Sequence, residues 1–254
     1  MKAISRRSML GQAGLLASTA AVGLPVLAAA GAEPAPAPRK LRVVVTGGHP
    51  GDPECGCGGT IARYTDAGHE VTLLYLNRGE PDAPTHLGVT GVRTAEAQRA
   101  CEILKAHAVF ARQIDGHAIV DPAHYAEFRE LLAKERPDVV FTHWPIDNHA
   151  DHRAMSNLVY DAWFRGGRRF ALYYYEVSNG EDTVQFAPTQ YVDITATEPR
   201  KRKACFAHAS QRPEKFYALQ ETITKMRGIE SGHAHAEGYI RHVQSPDFGL
   251  PLAG

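Results

Sequence analysis

Apolar residues in this chain fall into short blocks that alternate between two rhythms. Leu41 to Thr46, Glu70 to Leu76 and Asp138 to Thr142 are runs rich in Val, Leu and Phe, as expected of strands buried on both faces. Arg169 to Val177, around Tyr173-Tyr174-Tyr175, reads as a further buried strand. Between these runs the spacing becomes helical. Gly58 to Asp66 reads as a helix ended by Gly68, and Arg93 to Ala106 carries Ala97, Ala100, Cys101 and Leu104 at one-face spacing. Phe128, Leu131 and Leu132 mark another helix, stopped by Pro137, and His152 to Phe164 forms the helix between the last two strands. The tail from Glu198 to Gly228 is helical, with a break at Pro213. This alternation predicts an α/β fold: a Rossmann-like three-layer α/β/α arrangement around a mostly parallel sheet.

The first residues follow another pattern. Ser5-Arg6-Arg7-Ser8-Met9-Leu10 is a twin-arginine sequence followed by a weakly apolar, Ala-rich stretch, with small residues at Ala28 and Ala30 suited to cleavage. Residues 1–30 are therefore expected to be a twin-arginine export signal, 31–38 a Pro/Ala-rich spacer, and 39–254 the folded domain. The expected location is periplasmic or secreted, with no stable membrane insertion after cleavage. The chain has 28 Lys and Arg against 28 Asp and Glu, so its formal charge is zero and nucleic acid is not an expected partner. The four cysteines give no disulfide framework. Cys57, Cys101 and Cys205 read as small buried residues.

The chemistry lies in two motifs, each at the end of a predicted strand. His49-Pro50-Gly51-Asp52-Pro53-Glu54 follows the first, and His149-Ala150-Asp151-His152 comes shortly after the run ending at His143. In an open α/β sheet both strand ends face one crevice. Imidazoles from His49 and His152 with the Asp52 carboxylate match the His₂-carboxylate class of catalytic zinc sites, which leaves one position for water.

At these residues a resemblance becomes specific. "TGGHPGDPECGCGGTIARY", "GVRTAEAQRACEIL" and "FTHWPIDNHADHRAMSNLVYDA" together resemble the PIG-L (LmbE-like) family of zinc-dependent de-N-acetylases, from about Leu41 to Asp161. The resemblance implies His49, Asp52 and His152 as metal ligands. It also implies that His149 stabilises the oxyanion with Asp151 orienting it, and that Arg93 contacts substrate. An ordinary helix-start salt bridge from Arg93 to Glu96 is the competing reading. The implied cofactor is Zn²⁺, with other divalent ions such as Fe²⁺ compatible. The implied partner is a small-molecule or glycan substrate carrying an N-acetyl group.

One departure stands out. The family's usual general base is the first Asp of His-Pro-Asp-Asp, and here that position is Gly51. Asp147 is the first expected substitute, with Glu54 and Asp151 as further candidates. Asn77-Arg78-Gly79-Glu80, at the exit of the second strand, is expected to line the same crevice and contact sugar through Asn77 and Arg78. Arg200 to Lys203 reads as a solvated basic face. Two rival functions are a metal-bearing carbohydrate-binding protein without catalysis and a nucleotide-binding Rossmann enzyme. The second lacks Gly-x-Gly-x-x-Gly spacing.

Overall fold

The alternating blocks build a seven-stranded sheet in the computed structural model, which describes residues 39–80, 91–248 and 250–251. The export signal and spacer read above lie outside the described residues. The strands are β1 (Arg42–Gly47), β2 (Glu70–Asn77), β3 (His107–Gln113), β4 (Val139–His143), β5 (Ala171–Tyr175), β6 (Gln190–Asp193) and β7 (Ala236–Arg241). The helices are α1 (Asp52–Asp66), α2 (Val92–Leu104), α3 (Pro122–Glu135), α4 (Ala150–Arg165), α5 (Glu198–Phe206) and α6 (Pro213–Ser231). Spatial order is β3-β2-β1-β4-β5-β7-β6. The first five strands are parallel, and β7 runs antiparallel to both β5 and β6. The chain moves outward from β1 to β3 and then restarts at β4 on the other side of β1. A crevice therefore opens between the carboxyl ends of β1 and β4, at the switch point where such sheets bind ligands.

Side-chain alternation along β1 divides the core into two layers. Val43 and Val45 pack with Ile61 and Tyr64 of α1, Ala97 and Leu104 of α2, and Ala204 of α5. Val44, on the opposite face, packs with Phe128 and Leu132 of α3 and with Met155 and Leu158 of α4. A strand apolar on both faces is thus required by helices on both sides. The expected three-layer, mostly parallel arrangement is what forms.

Helix α1 starts at Asp52, earlier than the expected Gly58. Pro53 suits the first turn, where its missing N–H costs nothing. The glycines that follow are kept by close packing: a Cβ on Gly59 would stand 2.5 Å from Ile194 Cβ. Close approach of neighbouring elements outweighs helix propensity here.

The reading of Arg200 to Lys203 as a solvated face is corrected at Lys201. Its ammonium is buried and lies 2.7 Å from Glu237 Oε1. Glu237 also accepts the Gly59 and Thr60 backbone N–H groups and the Tyr239 hydroxyl. All four cysteines are buried and unbridged, with Cys55 and Cys205 sulfurs 3.4 Å apart. Among the described residues no helix is long and apolar enough to cross a membrane.

Candidate metal centre and active-site cavity

The first ligand loop is held by its own backbone. Asp52 Oδ2 accepts the His49 N–H at 2.8 Å, and the Asp52 N–H reaches the His49 carbonyl at 3.3 Å. Gly51, at φ +111°, makes the turn between them in a region that favours glycine. Gly48 lies so close beneath that a Cβ there would meet His152 Cδ2 at 2.9 Å. The second loop follows β4. Asp147 anchors it, with Oδ2 accepting the Thr183 hydroxyl and Oδ1 the His149 N–H. Helix α4 then begins with His149 as its N-cap and presents His152 in its first turn.

The two loops meet at Asp52. Its Oδ2 stands 3.3 Å from His49 Nδ1 and 3.3 Å from His152 Nε2. Bonds of about 2.0–2.1 Å to one tetrahedral ion separate its ligands by about 3.3–3.4 Å, and each of these two separations matches that. The nitrogens turned away from Asp52 fit it as well. His49 Nε2 lies 3.1 Å from Asp151 Oδ2, and His152 Nδ1 lies 3.1 Å from Asp147 Oδ1. A carboxylate behind each imidazole fixes the ring's proton there and leaves the facing nitrogen's lone pair free for a cation. The charge balance agrees. Burial alone would lower His152, yet Asp52 and Asp147 push it up to about 9. Burial would raise Asp52, yet the His152, His143 and His49 imidazoles hold it well below the usual carboxylate range. A cluster of acids that draws positive charge this strongly suits a divalent ion.

His149 is disposed differently. Its Nδ1 accepts the Asp151 backbone N–H at 3.2 Å, which leaves the ring proton on Nε2. Burial, followed by the neighbouring His49 and His152, keeps its pKa lowered and the ring neutral. The three rings of His49, His149 and His152 converge, with donor atoms all within 4.8 Å of one another. A neutral N–H donor thus stands beside the ligand set.

A cavity of about 390 Å³ opens over this cluster. His49, Asp52, His149 and His152 line it together with Arg93 and Asp115. Residues from later in the chain complete the lining, among them Asp182, His208, Phe216 and Gln220.

Several expected roles are corrected by placement. Asp147 is buried behind His152 with both oxygens engaged, so it positions that ring and does not face the cavity. Asp151 touches His149 only through its backbone; its carboxylate holds His49, Asn77 and the Gly116 N–H. Asn77 is fully buried as that partner of Asp151, and Arg78 lies exposed over the Phe110 ring; neither lines the cavity. Glu54 is buried beneath the loop and bonded to Tyr75, Gly51 and His208. Arg93 does line the cavity, pinned by the Gly79 and Pro50 carbonyls at 2.9 and 3.1 Å. Its expected partner Glu96 binds Ser210 instead.

Four site residues carry no local motif. His143, fully buried, accepts the Gly48 N–H at 3.0 Å and lies 3.3 Å from Asp52 Oδ2. Asp115 Oδ1 lies 3.1 Å from His49 Nε2. Burial raises the pKa of Asp182. His208 packs against the first ligand loop.

Comparison with known proteins finds relatives in sequence and in fold. The sequence model of the family described as PIG-L, GlcNAc-PI de-N-acetylase, matches residues 44–163. Diacetylchitobiose deacetylase of Thermococcus kodakarensis is 32% identical over 216 residues, covering 77% of this chain and 80% of that protein. Among solved structures, the conserved protein TT1542 of Thermus thermophilus superposes with a TM-score of 0.71 at 28% identity, over 84% of this chain and 99% of its own. The 4-carboxy-2-hydroxymuconate hydratase GalB of Pseudomonas putida KT2440 shares the fold, with a TM-score of 0.71 at 22% identity over 84% of this chain and all of its own. One scaffold thus carries different chemistries, and the reaction has to be argued from the site.

Proposed function

This chain belongs to the PIG-L family of GlcNAc-PI de-N-acetylases, and from that premise we propose that it is a metal-dependent N-deacetylase acting on an N-acetylated amino sugar. The reaction hydrolyses the acetamide to acetate and a free amine. The observation that carries this reading is the pair of imidazoles that each stand 3.3 Å from Asp52 Oδ2, each backed by a carboxylate on its other nitrogen. Zinc is the ion we infer from the His₂-carboxylate donors, and Fe²⁺ suits the same set.

His49, Asp52 and His152 would hold the ion, which when bound polarises the amide carbonyl and acidifies water. The remaining work falls to the chain. His149 donates its Nε2–H to the carbonyl oxygen as negative charge develops there. Asp151 and Asp147 keep the ligand rings from turning. Arg93, fixed by two carbonyls, offers a rigid cation at the cavity wall for a sugar hydroxyl or carboxylate. The cavity is large enough for a sugar-sized ligand.

The same reading includes export. The twin-arginine pattern at Arg6-Arg7 supports a mature protein working outside the cytoplasm, after folding around its metal.

The test is acetate release from N,N′-diacetylchitobiose and N-acetylglucosamine by the purified protein, with zinc added and after chelation. Release that is lost on chelation and restored by metal is the expected result. A metal-loaded protein that deacetylates no N-acetylated sugar overturns the proposal.

A further inference from the structure

Resting on the deacetylase reading, we propose that Phe216 and Gln220, one turn apart on α6, form the subsite that takes the substrate's pyranose ring and selects cyclic amino sugars over acyclic acetamides. Both residues line the cavity. At i and i+4 they share one face of the helix, and that face borders the cavity. Neither residue belongs to the candidate ligands or to the groups that hold them.

Phe216 brings the one phenyl ring to a lining whose other aromatic rings are imidazoles. The residue is half-buried, packed against the cluster of Cys55, Cys205 and Tyr217. Tyr217 has Phe206 as its ring partner, and among the described residues no ring or cation stacks on Phe216. Its remaining surface is left to the cavity. An apolar ring held open among polar groups gains by meeting an apolar face of a ligand.

Gln220 supplies the polar counterpart. Its Nε2 donates to Ser178 Oγ at 3.1 Å, which fixes the amide. The amide oxygen has no donor among the described residues and keeps open surface, although the residue as a whole is buried. An oxygen so placed accepts a hydroxyl from a ligand in the cavity. The distance to the candidate ligands is short as well. Cys55, in the cluster under Phe216, also lines the cavity and follows Asp52 by one turn of α1, about 5 Å. In an N-acetylated amino sugar a single nitrogen separates the carbonyl carbon from the pyranose ring. An acetyl group held at Asp52 therefore keeps its sugar within reach of this part of the lining.

The pairing selects a class of ligand. A pyranose has a face of C–H groups bounded by hydroxyls, which a phenyl ring and a nearby amide oxygen match together. A long N-acyl chain needs a continuous apolar lining, and here Arg93, Asp115, Glu181, Asp182 and Gln211 interrupt it. An acyclic acetamide can reach the candidate ligands without covering Phe216, so it gains nothing from α6. The bond broken is the same for both. The helix face therefore acts on binding, and its loss raises KM while kcat stays.

The experiment compares N,N′-diacetylchitobiose, N-acetylglucosamine and N-acetylethanolamine as substrates. The metal-loaded proteins are wild type, Phe216→Ala, Phe216→Leu, Phe216→Tyr and Gln220→Met, with bound metal and melting temperature recorded for each. Wild type is expected to prefer both sugars to the acyclic amide. KM for the sugars should rise about tenfold in Phe216→Ala and about threefold in Phe216→Leu and Gln220→Met. Phe216→Tyr keeps the wild-type KM, and kcat and metal content stay near wild type in all four. On N-acetylethanolamine kcat/KM stays at the wild-type value. A wild type that takes the acyclic amide equally well, a wild-type KM in Phe216→Ala, or an equal loss on all three substrates overturns the subsite. Binding gives a readout that needs no turnover: the fluorescence of Phe216→Trp should change saturably with N,N′-diacetylchitobiose and not with N-acetylethanolamine. A wild type inactive on every N-acetylated sugar sinks the deacetylase reading, and the fluorescence titration then decides the subsite by itself. An active wild type with an unchanged KM in Phe216→Ala sinks the subsite alone.

Discussion

Asp151 Oδ2 stands 3.1 Å from His49 Nε2, on the ring nitrogen that does not face Asp52. The carboxylate is fully buried and shared with Asn77 and the Gly116 N–H, so it cannot follow the imidazole if the ring turns. Asp151→Asn should leave the fold intact and weaken metal binding about 10–100-fold, the usual effect of removing such a partner. Titration against a chromophoric chelator measures it; unchanged affinity would remove Asp151 from the support of the site.

His149 gives the opposite signature. Its Nδ1 is occupied by the Asp151 N–H, so the Nε2–H is the atom left for the proposed oxyanion role. His149→Ala is expected to lower kcat about 10²–10³-fold, the loss typical of one oxyanion donor. Metal content should stay at the wild-type level. Stripping of the metal together with activity would reassign His149 to the ligand set.

Lys201 and Glu237 form a buried pair between α5 and β7. Lys201→Met removes one partner and strands the other carboxylate, which costs about 3–5 kcal/mol in comparable cases. Urea unfolding should show the free energy of unfolding lowered by that amount. A variant as stable as wild type would show that the Gly59, Thr60 and Tyr239 donors suffice for Glu237 alone.

Asp66, at the end of α1, gives a pH-dependent prediction. Hydrogen bonds from Arg200, then Lys105, hold its carboxyl down to about 2, against 3.8 when unperturbed. With a lowered folded-state pKa, the stabilisation is present in full above pH 3.8 and fades as pH falls through about 2. The side chain is 40% exposed, so solvent screening limits the pair to below about 1 kcal/mol. Asp66→Asn should therefore be slightly less stable than wild type at pH 6, with the difference shrinking below pH 3.8 and vanishing only below pH 2. A difference that grows on acidification would contradict the pairing.

The sheet and the meeting of the two motif loops are legible because both follow from local pattern. Val43-Val44-Val45 must be a buried strand, and a loop His and Asp beside it point where strand ends point. The rest depends on partners far along the chain. Glu237 and Gly238 make β7 look unlike a buried strand, until Lys201 supplies the charge and Pro188 and Arg227 fill the space over the glycine. His107 to Gln113 forms an edge strand whose partial exposure blurs any alternation. Asp147 reads as a base from the sequence because proximity to the second motif does not say which side of His152 it occupies. His208 stands 154 residues from Glu54, and no spacing rule links two such positions.

The cavity's lining has two origins along the polypeptide. The candidate ligands are complete by His152, whereas the lining from Val177 to Gln220 follows the last parallel strand. An exchange of that later stretch between relatives would alter what enters, while the candidate ligands stay as they are. Selectivity and metal affinity should therefore be separable by grafting.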